Sequence, residues 1–129
     1  SEPITPTDFN RLVELDVTGL GIANLNGLPN ATNLRSLQLT NNHISDLRPL
    51  QGLVKLNKLV LNGNNIEDIE PLAKLINLTE LHLNNNRIHN IEPLLNLLNL
   101  TELELKNNPI PEKQRELLRR ELPNCEIRF

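Results

Sequence analysis

Leu78-Thr79-Glu80-Leu81-His82-Leu83-Asn84-Asn85-Asn86-Arg87-Ile88 decides the fold of this chain, because its spacing returns at a constant interval on both sides. Leu78 is matched by Leu12, Leu34, Leu56 and Leu100, each 22 residues from the next. Leu81 is matched by Leu15, Leu37, Leu59 and Leu103, and Leu83 by Val17, Leu39, Leu61 and Leu105. Asn86 has counterparts in Asn42, Asn64 and Asn108, with Leu20 standing in the first unit. Ile88 aligns with Ile22, Ile44, Ile66 and Ile110. Two further columns follow, Leu25-Leu47-Ile69-Ile91 and Leu28-Leu50-Leu72-Leu94, and Pro49, Pro71 and Pro93 precede the last three. Five units in strict register define a repeat architecture, in which each unit buries its apolar side against its neighbours.

The spacing has a direct physical content. Alternation in Leu-x-Leu marks a short strand with one buried face. A return every 22 residues sets each strand beside its predecessor without a hairpin, which predicts a parallel sheet. The Asn falls where the chain leaves the strand. Its amide donates and accepts, so Asn42, Asn64, Asn86 and Asn108 are expected to stack as a ladder that satisfies buried turn groups. Proline fixes φ and has no N–H, favouring a helical first turn at each Pro-Leu step. So short a unit has no room for a full α-helix there, and a 3-10 or irregular turn is expected on the convex side.

This pattern resembles that of leucine-rich repeats, in the 22-residue class of internalin-like bacterial proteins and phosphatase-regulator-type eukaryotic ones. The resemblance covers residues 4–129. It implies an α/β fold, a right-handed solenoid with a parallel β-sheet on its concave face, 3-10 turns on its convex face and a C-terminal capping helix. It also implies protein–protein contact, at the cell surface or outside the cell in the internalin-like branch and in the cytoplasm in the regulator branch. Two end segments resemble the bacterial members: Ile4-Thr5-Pro6-Thr7-Asp8-Phe9 with Gly21 to Leu28, and Asn108-Pro109-Ile110 through Leu122 to Ile127. One domain is expected over residues 1–129. Residues 1–10 form an N-terminal cap remnant, 11–110 about five repeats, and 111–129 the C-terminal cap. Few residues precede Ile4, which suggests a trimmed fragment or a minimal cap.

An open solenoid end exposes Leu side chains and an unpaired strand edge, so both ends need covering. Pro111 opens a segment with Leu117, Leu118 and Leu122 on one side, stopped before Pro123, which predicts an amphipathic helix. Glu126-Ile127-Arg128-Phe129 alternates like a last strand. The basic residues Lys113, Arg115, Arg119 and Arg120 are expected to form a solvated cap face. Cys125 is expected to be buried and inert.

Composition closes several function classes. The chain has 29 Leu and 21 Asn but no Trp, Tyr or Met and only Phe9 and Phe129, which excludes an aromatic-lined pocket or a base-stacking platform. A net charge of −3 argues against nucleic acid. One cysteine forbids an intrachain disulfide or a cysteine-based zinc cluster. No run reaches the ~18 apolar residues of a membrane span, so membrane insertion is not expected. Ser1-Glu2-Pro3 is neither basic nor apolar and does not read as a signal peptide.

The chain carries no nucleophile elbow, zinc-protease helix, phosphate loop or Cys-x-x-Cys, so no enzyme activity and no cofactor are expected. His43, His82 and His89 fall in different registers and cannot share one metal ion. A carboxylate cation site is not expected either, since side chains splay from a shallow sheet. Three sequons, at Asn30, Asn77 and Asn99, carry little glycosylation signal, because the last two occupy one repeat column.

The concave face is read in columns. They are Glu14-Ser36-Lys58-Glu80-Glu102, Asp16-Gln38-Val60-His82-Glu104 and Thr18-Thr40-Asn62-Asn84-Lys106. Strands ~4.8 Å apart set Glu80 beside Glu102 and His82 beside Glu104. Partner recognition is therefore expected at Glu80, His82, Glu102 and Glu104, with Gln38, Lys58 and Val60 adjoining. The expected partner is a protein with a basic surface, and a monomer is favoured. Two alternatives stand beside this: a structural spacer segment of a larger bacterial surface protein, and an intracellular regulatory subunit of an enzyme.

Overall fold

The Leu-x-Leu centre of every unit forms a three-residue strand in the computed structural model, which describes residues 9–129. The strands are β1 (Glu14–Asp16), β2 (Ser36–Gln38), β3 (Lys58–Val60), β4 (Glu80–His82), β5 (Glu102–Glu104) and β6 (Glu126–Arg128). They make one parallel sheet in sequence order, in the register the 22-residue columns require: Leu15, Leu37, Leu59, Leu81, Leu103 and Ile127 lie side by side. Hydrogen bonding runs past the formal strands, as in Leu61 N–H to His82 O at 2.8 Å and Gly63 N–H to Asn84 O at 2.9 Å. The third concave column is therefore as firmly placed as the other two. The proposed opening segment Ile4 to Asp8, and most of the cap-remnant reading for residues 1–10, lie outside the described residues.

The expected turns on the convex side are present as 3-10 turns at Leu28–Asn30, Arg48–Leu50, Glu70–Leu72 and Glu92–Leu94. Each of the last three has its proline at the centre. Successive i to i+3 bonds then link Leu47, Leu50, Leu53 and Leu56, because Leu50, Leu53 and Leu56 N–H donate to the preceding member at 2.9–3.1 Å. Three residues per turn eclipse side chains three apart, so all four point into the core. This geometry buries a column that the sequence columns above omit: Ala31, Leu53, Leu75 and Leu97, none of them exposed. Ahead of the turns, Asn24, Asp46, Asp68 and Asn90 each accept the N–H two residues on, at 2.8–3.1 Å. These Asx turns aim the chain away from the sheet. Arg48 also grips the Asp46 carboxylate at 2.8 Å and holds its pKa down to about 2.

The turn asparagines of successive coils bond to one another's strands as a ladder. Asn64 Nδ2 donates to Leu39 O and Leu61 O, both at 3.0 Å, while its Oδ1 accepts Ile44 N–H at 3.0 Å. Asn42, Asn86 and Asn108 repeat the arrangement, so Leu39, Leu61 and Leu83 carbonyls each receive two amides from successive coils. The residue before each ladder position has a left-handed backbone: Gly19, Asn41, Gly63, Asn85 and Asn107, with φ of 56–69°. Glycine and asparagine are the residues that tolerate this. At Gly63 the absence of a side chain also matters, since a Cβ there would run into Asn41 Oδ1.

A second ladder occupies the loops that lead into the strands. Asn77 and Asn99 Nδ2 donate to Val54 O and Ile76 O, both at 2.8 Å, and Asn33 Nδ2 to Asn10 O at 2.6 Å. Two of the three sequon asparagines are thus accounted for by backbone support.

The C-terminal end is closed by α1 (Glu112–Glu121) and β6. Leu118 and Leu122 are buried and Leu117 half-buried. The basic residues are less uniformly solvated than their composition suggests. Arg115 and Arg119 guanidinium groups lie 5.2 and 5.0 Å from the Phe129 ring centre, and Arg115 Nε donates to Ile110 O at 3.0 Å. The two guanidinium groups lie over the Phe129 ring as cation–π contacts. Cys125 is half-buried rather than buried.

Candidate functional site

Parallel pairing of β3 to β6 brings Lys58, Glu80, Glu102 and Glu126 into one row, and Val60, His82, Glu104 and Arg128 into the next. These side chains converge rather than splay. His82 Nε2 lies 3.1 Å from Glu80 Oε2, 3.7 Å from Glu104 Oε2 and 3.9 Å from Glu102 Oε1. The expectation that these side chains splay from the sheet is corrected accordingly: the ligand atoms of Glu80, His82 and Glu102 all fall within 4.8 Å of one another.

Two cations border the cluster. Lys58 Nζ lies 3.5 Å from Glu80, and Arg128 lies 3.6 Å from Glu104, 4.0 Å from Glu102 and 2.8 Å from Glu126. Arg128 was not among the residues singled out by spacing, because it follows Glu104 by 24 positions instead of 22. Glu104 is the most enclosed of the carboxylates, its side chain 14% exposed. A hydrogen bond from Asn84 Nδ2 at 2.8 Å holds its carboxyl below the usual range, with help from the charges of His82, Arg128 and Lys106, while burial pulls the other way.

The remaining candidates form a separate group. Gln38 and Lys58 line a shallow depression of about 420 Å³ with Glu14, Asp16 and Ser36. Gln38 Oε1 is tied to the Thr40 N–H at 3.1 Å and to its hydroxyl. Val60 is 4% exposed, so it is the floor of this depression and offers no open apolar contact. Its neighbours in adjacent strands, Gln38 and His82, close over it. His43 and His89 stay apart from His82; His89 Nδ1 lies 4.0 Å from Glu67 in a different part of the surface.

Cys125 carries a distinct prediction. Burial, then the carboxylates of Glu102 and Glu126, push its thiol pKa up to about 11. At pH 8 iodoacetamide should alkylate it roughly 100-fold more slowly than a free cysteine of pKa ~8.5. The rate should still be climbing at pH 10. A rate that levels off near pH 9 would contradict this environment.

The chain belongs to the leucine-rich-repeat family: the family model described as Leucine Rich repeats (2 copies) matches residues 32–74 and 76–117. An internalin from Listeria monocytogenes is 33% identical with a TM-score of 0.88, over 96% of this chain and 36% of that one. A leucine-rich-repeat protein from Leptospira interrogans is 31% identical with a TM-score of 0.87, over 95% of this chain and 32% of that one. The chain therefore spans roughly a third of the length of either structure. No curated protein matches it. Domains of this family generally mediate protein–protein contact and are typically non-enzymatic. Among the described residues no helix is long and apolar enough to cross a membrane.

Proposed function

We infer that the chain is a non-catalytic interaction module whose concave sheet takes a protein partner with a basic surface. One observation carries this reading: Glu80, Glu102, Glu104 and Glu126 outnumber the nearby cations Lys58, Lys106 and Arg128 on a rigid sheet. An uncompensated patch on a preorganised surface steers and registers a cationic partner. Glu80, His82, Glu102 and Glu104 form its centre, and Gln38 and Lys58 its margin.

The test is a random peptide display library selected on the protein. Enriched peptides should be rich in Lys and Arg. The variant Glu80→Lys with Glu102→Lys should bind them about 30-fold or more weaker, roughly 2 kcal/mol, the lower end for a desolvated interfacial charge. Glu104 is the poorer choice for reversal, because it is enclosed and bonded to Asn84. Equal binding by the variant, with an unchanged circular dichroism spectrum, would remove the concave face from consideration. A second reading, a spacer segment of a larger surface protein, draws on the lack of any Trp or Tyr, the side chains that anchor most binding hot spots. It predicts that no selected peptide maps to the sheet.

A further inference from the structure

We propose that Glu80, His82, Glu102 and Glu104 form a binding site for a divalent transition-metal ion, with Zn²⁺ as the representative species. His82 Nε2 is shut off from solvent and has no aligned hydrogen-bond partner among the described residues. Glu80 Oε2 is near, at 3.1 Å, but off the axis along which the ring nitrogen bonds. A nitrogen removed from water and left without a partner is costly, and a metal ion on its lone pair removes that cost.

The surroundings supply the rest of a coordination shell. Tetrahedral zinc with bonds of ~2.0–2.2 Å sets its ligand atoms ~3.3–3.6 Å apart. The three carboxylate oxygens lie 3.1, 3.7 and 3.9 Å from Nε2, and the ligand atoms of Glu80, His82 and Glu102 all fall within 4.8 Å of one another, so side-chain shifts of up to about 1 Å close these three on an ion, with Glu104 as the outlying fourth ligand. The positions are held by the backbone: all four side chains stand on β4 and β5, paired Glu80 to Glu102 and His82 to Glu104. Asn84 fixes the far oxygen of Glu104, leaving Oε2 to face the histidine. The charge is favourable too. With His82 neutral, the four glutamates outnumber the nearby cations Lys58, Lys106 and Arg128, so a dication meets a site of net negative charge. Lys58 and Arg128 side chains are each nearly half exposed, and both can swing away. One imidazole among carboxylates suits zinc and its first-row neighbours, whereas Mg²⁺ and Ca²⁺ select all-oxygen shells.

This inference stands apart from the protein-partner reading, although an ion bound here would weaken the pull of the patch on a cationic partner. Isothermal titration of the full chain, free of any histidine tag, with ZnCl₂ and separately with MgCl₂ tests it. The expected result is one saturable equivalent of Zn²⁺ and none of Mg²⁺. His82→Gln should weaken zinc binding by more than about 10-fold, as should Glu80→Gln with Glu102→Gln, while His43→Gln and His89→Gln bind as the parent does. Co²⁺ should give the visible absorption of a low-symmetry four-coordinate ion, lost in His82→Gln. Zinc binding no stronger than magnesium binding overturns the proposal. Binding kept in His82→Gln, or lost in His89→Gln, also overturns it. His82 lies on the sheet surface, and circular dichroism of each variant confirms that the fold persists. Failure of this test leaves the peptide selection untouched, so the two readings fall separately.

Discussion

Replacing Asn64 by alanine lowers the free energy of unfolding by about 3–5 kcal/mol, read as a fall in the urea midpoint at unchanged slope. The size follows from what the amide does. Ile44 N–H loses its acceptor entirely and is buried, which alone costs ~1–3 kcal/mol. Leu39 O and Leu61 O each lose one of two donors, since Asn42 and Asn86 remain. Those two bonds account for ~1 kcal/mol apiece. A loss below ~1 kcal/mol would mean that water replaces the side chain and that the ladder is ornamental.

Asn64→Asp sharpens the test through its pH dependence. The new carboxylate faces two carbonyl oxygens in a dry turn, so its folded pKa is raised. A raised folded pKa stabilises at low pH and is lost as pH rises. The variant should therefore approach the parent's stability below pH ~4, the unfolded value, lose stability as pH climbs from there to the higher folded value, and level off beyond it. A penalty independent of pH would sink the assignment of donor and acceptor.

The second large effect is expected from deleting residues 111–129. Without α1 and β6, Ile110 and Leu105 lose their cover and β5 becomes an edge whose Leu105 N–H has lost Arg128 O. A bare parallel edge beside a leucine-lined section is a template for self-association. Light scattering after size exclusion should show oligomers, and thermal unfolding should lose its single steep transition. The milder change Leu118→Ala isolates the packing share, at about 3 kcal/mol for a fully buried leucine. A shortened chain that stays monomeric and melts as before would show that the repeats need no lid.

What could be read in advance depended on whether a feature keeps the 22-residue beat. The strands, the ladder and the proline turns all keep it, and the structure places them as the columns require. The column of Leu53, Leu75 and Leu97 keeps it too. It was hidden by Ala31 in the first unit and by a turn whose three-residue period sets it three places from the next buried leucine on either side. Arg128 escaped because the capping helix inserts two extra residues before the last strand. Asn77 and Asn99 were visible, but as sequons, since a side chain bonding to a loop one coil earlier leaves no mark in local sequence. The convergence on His82 was least legible of all. Register sets which residues are neighbours, whereas the direction each glutamate takes is decided by the charge beside it.

Among the described residues the hydrogen bonds of the solenoid reach at most 25 residues along the chain, so each coil there is fastened to its immediate neighbours. Pulled at its ends, such a molecule has the strands lying across the line of tension, and it gives way by peeling. Each coil released adds about 75 Å of extended chain. A force–extension record should accordingly show a sawtooth of near-equal steps, the behaviour of a tether that yields by instalments and winds back when the load is removed.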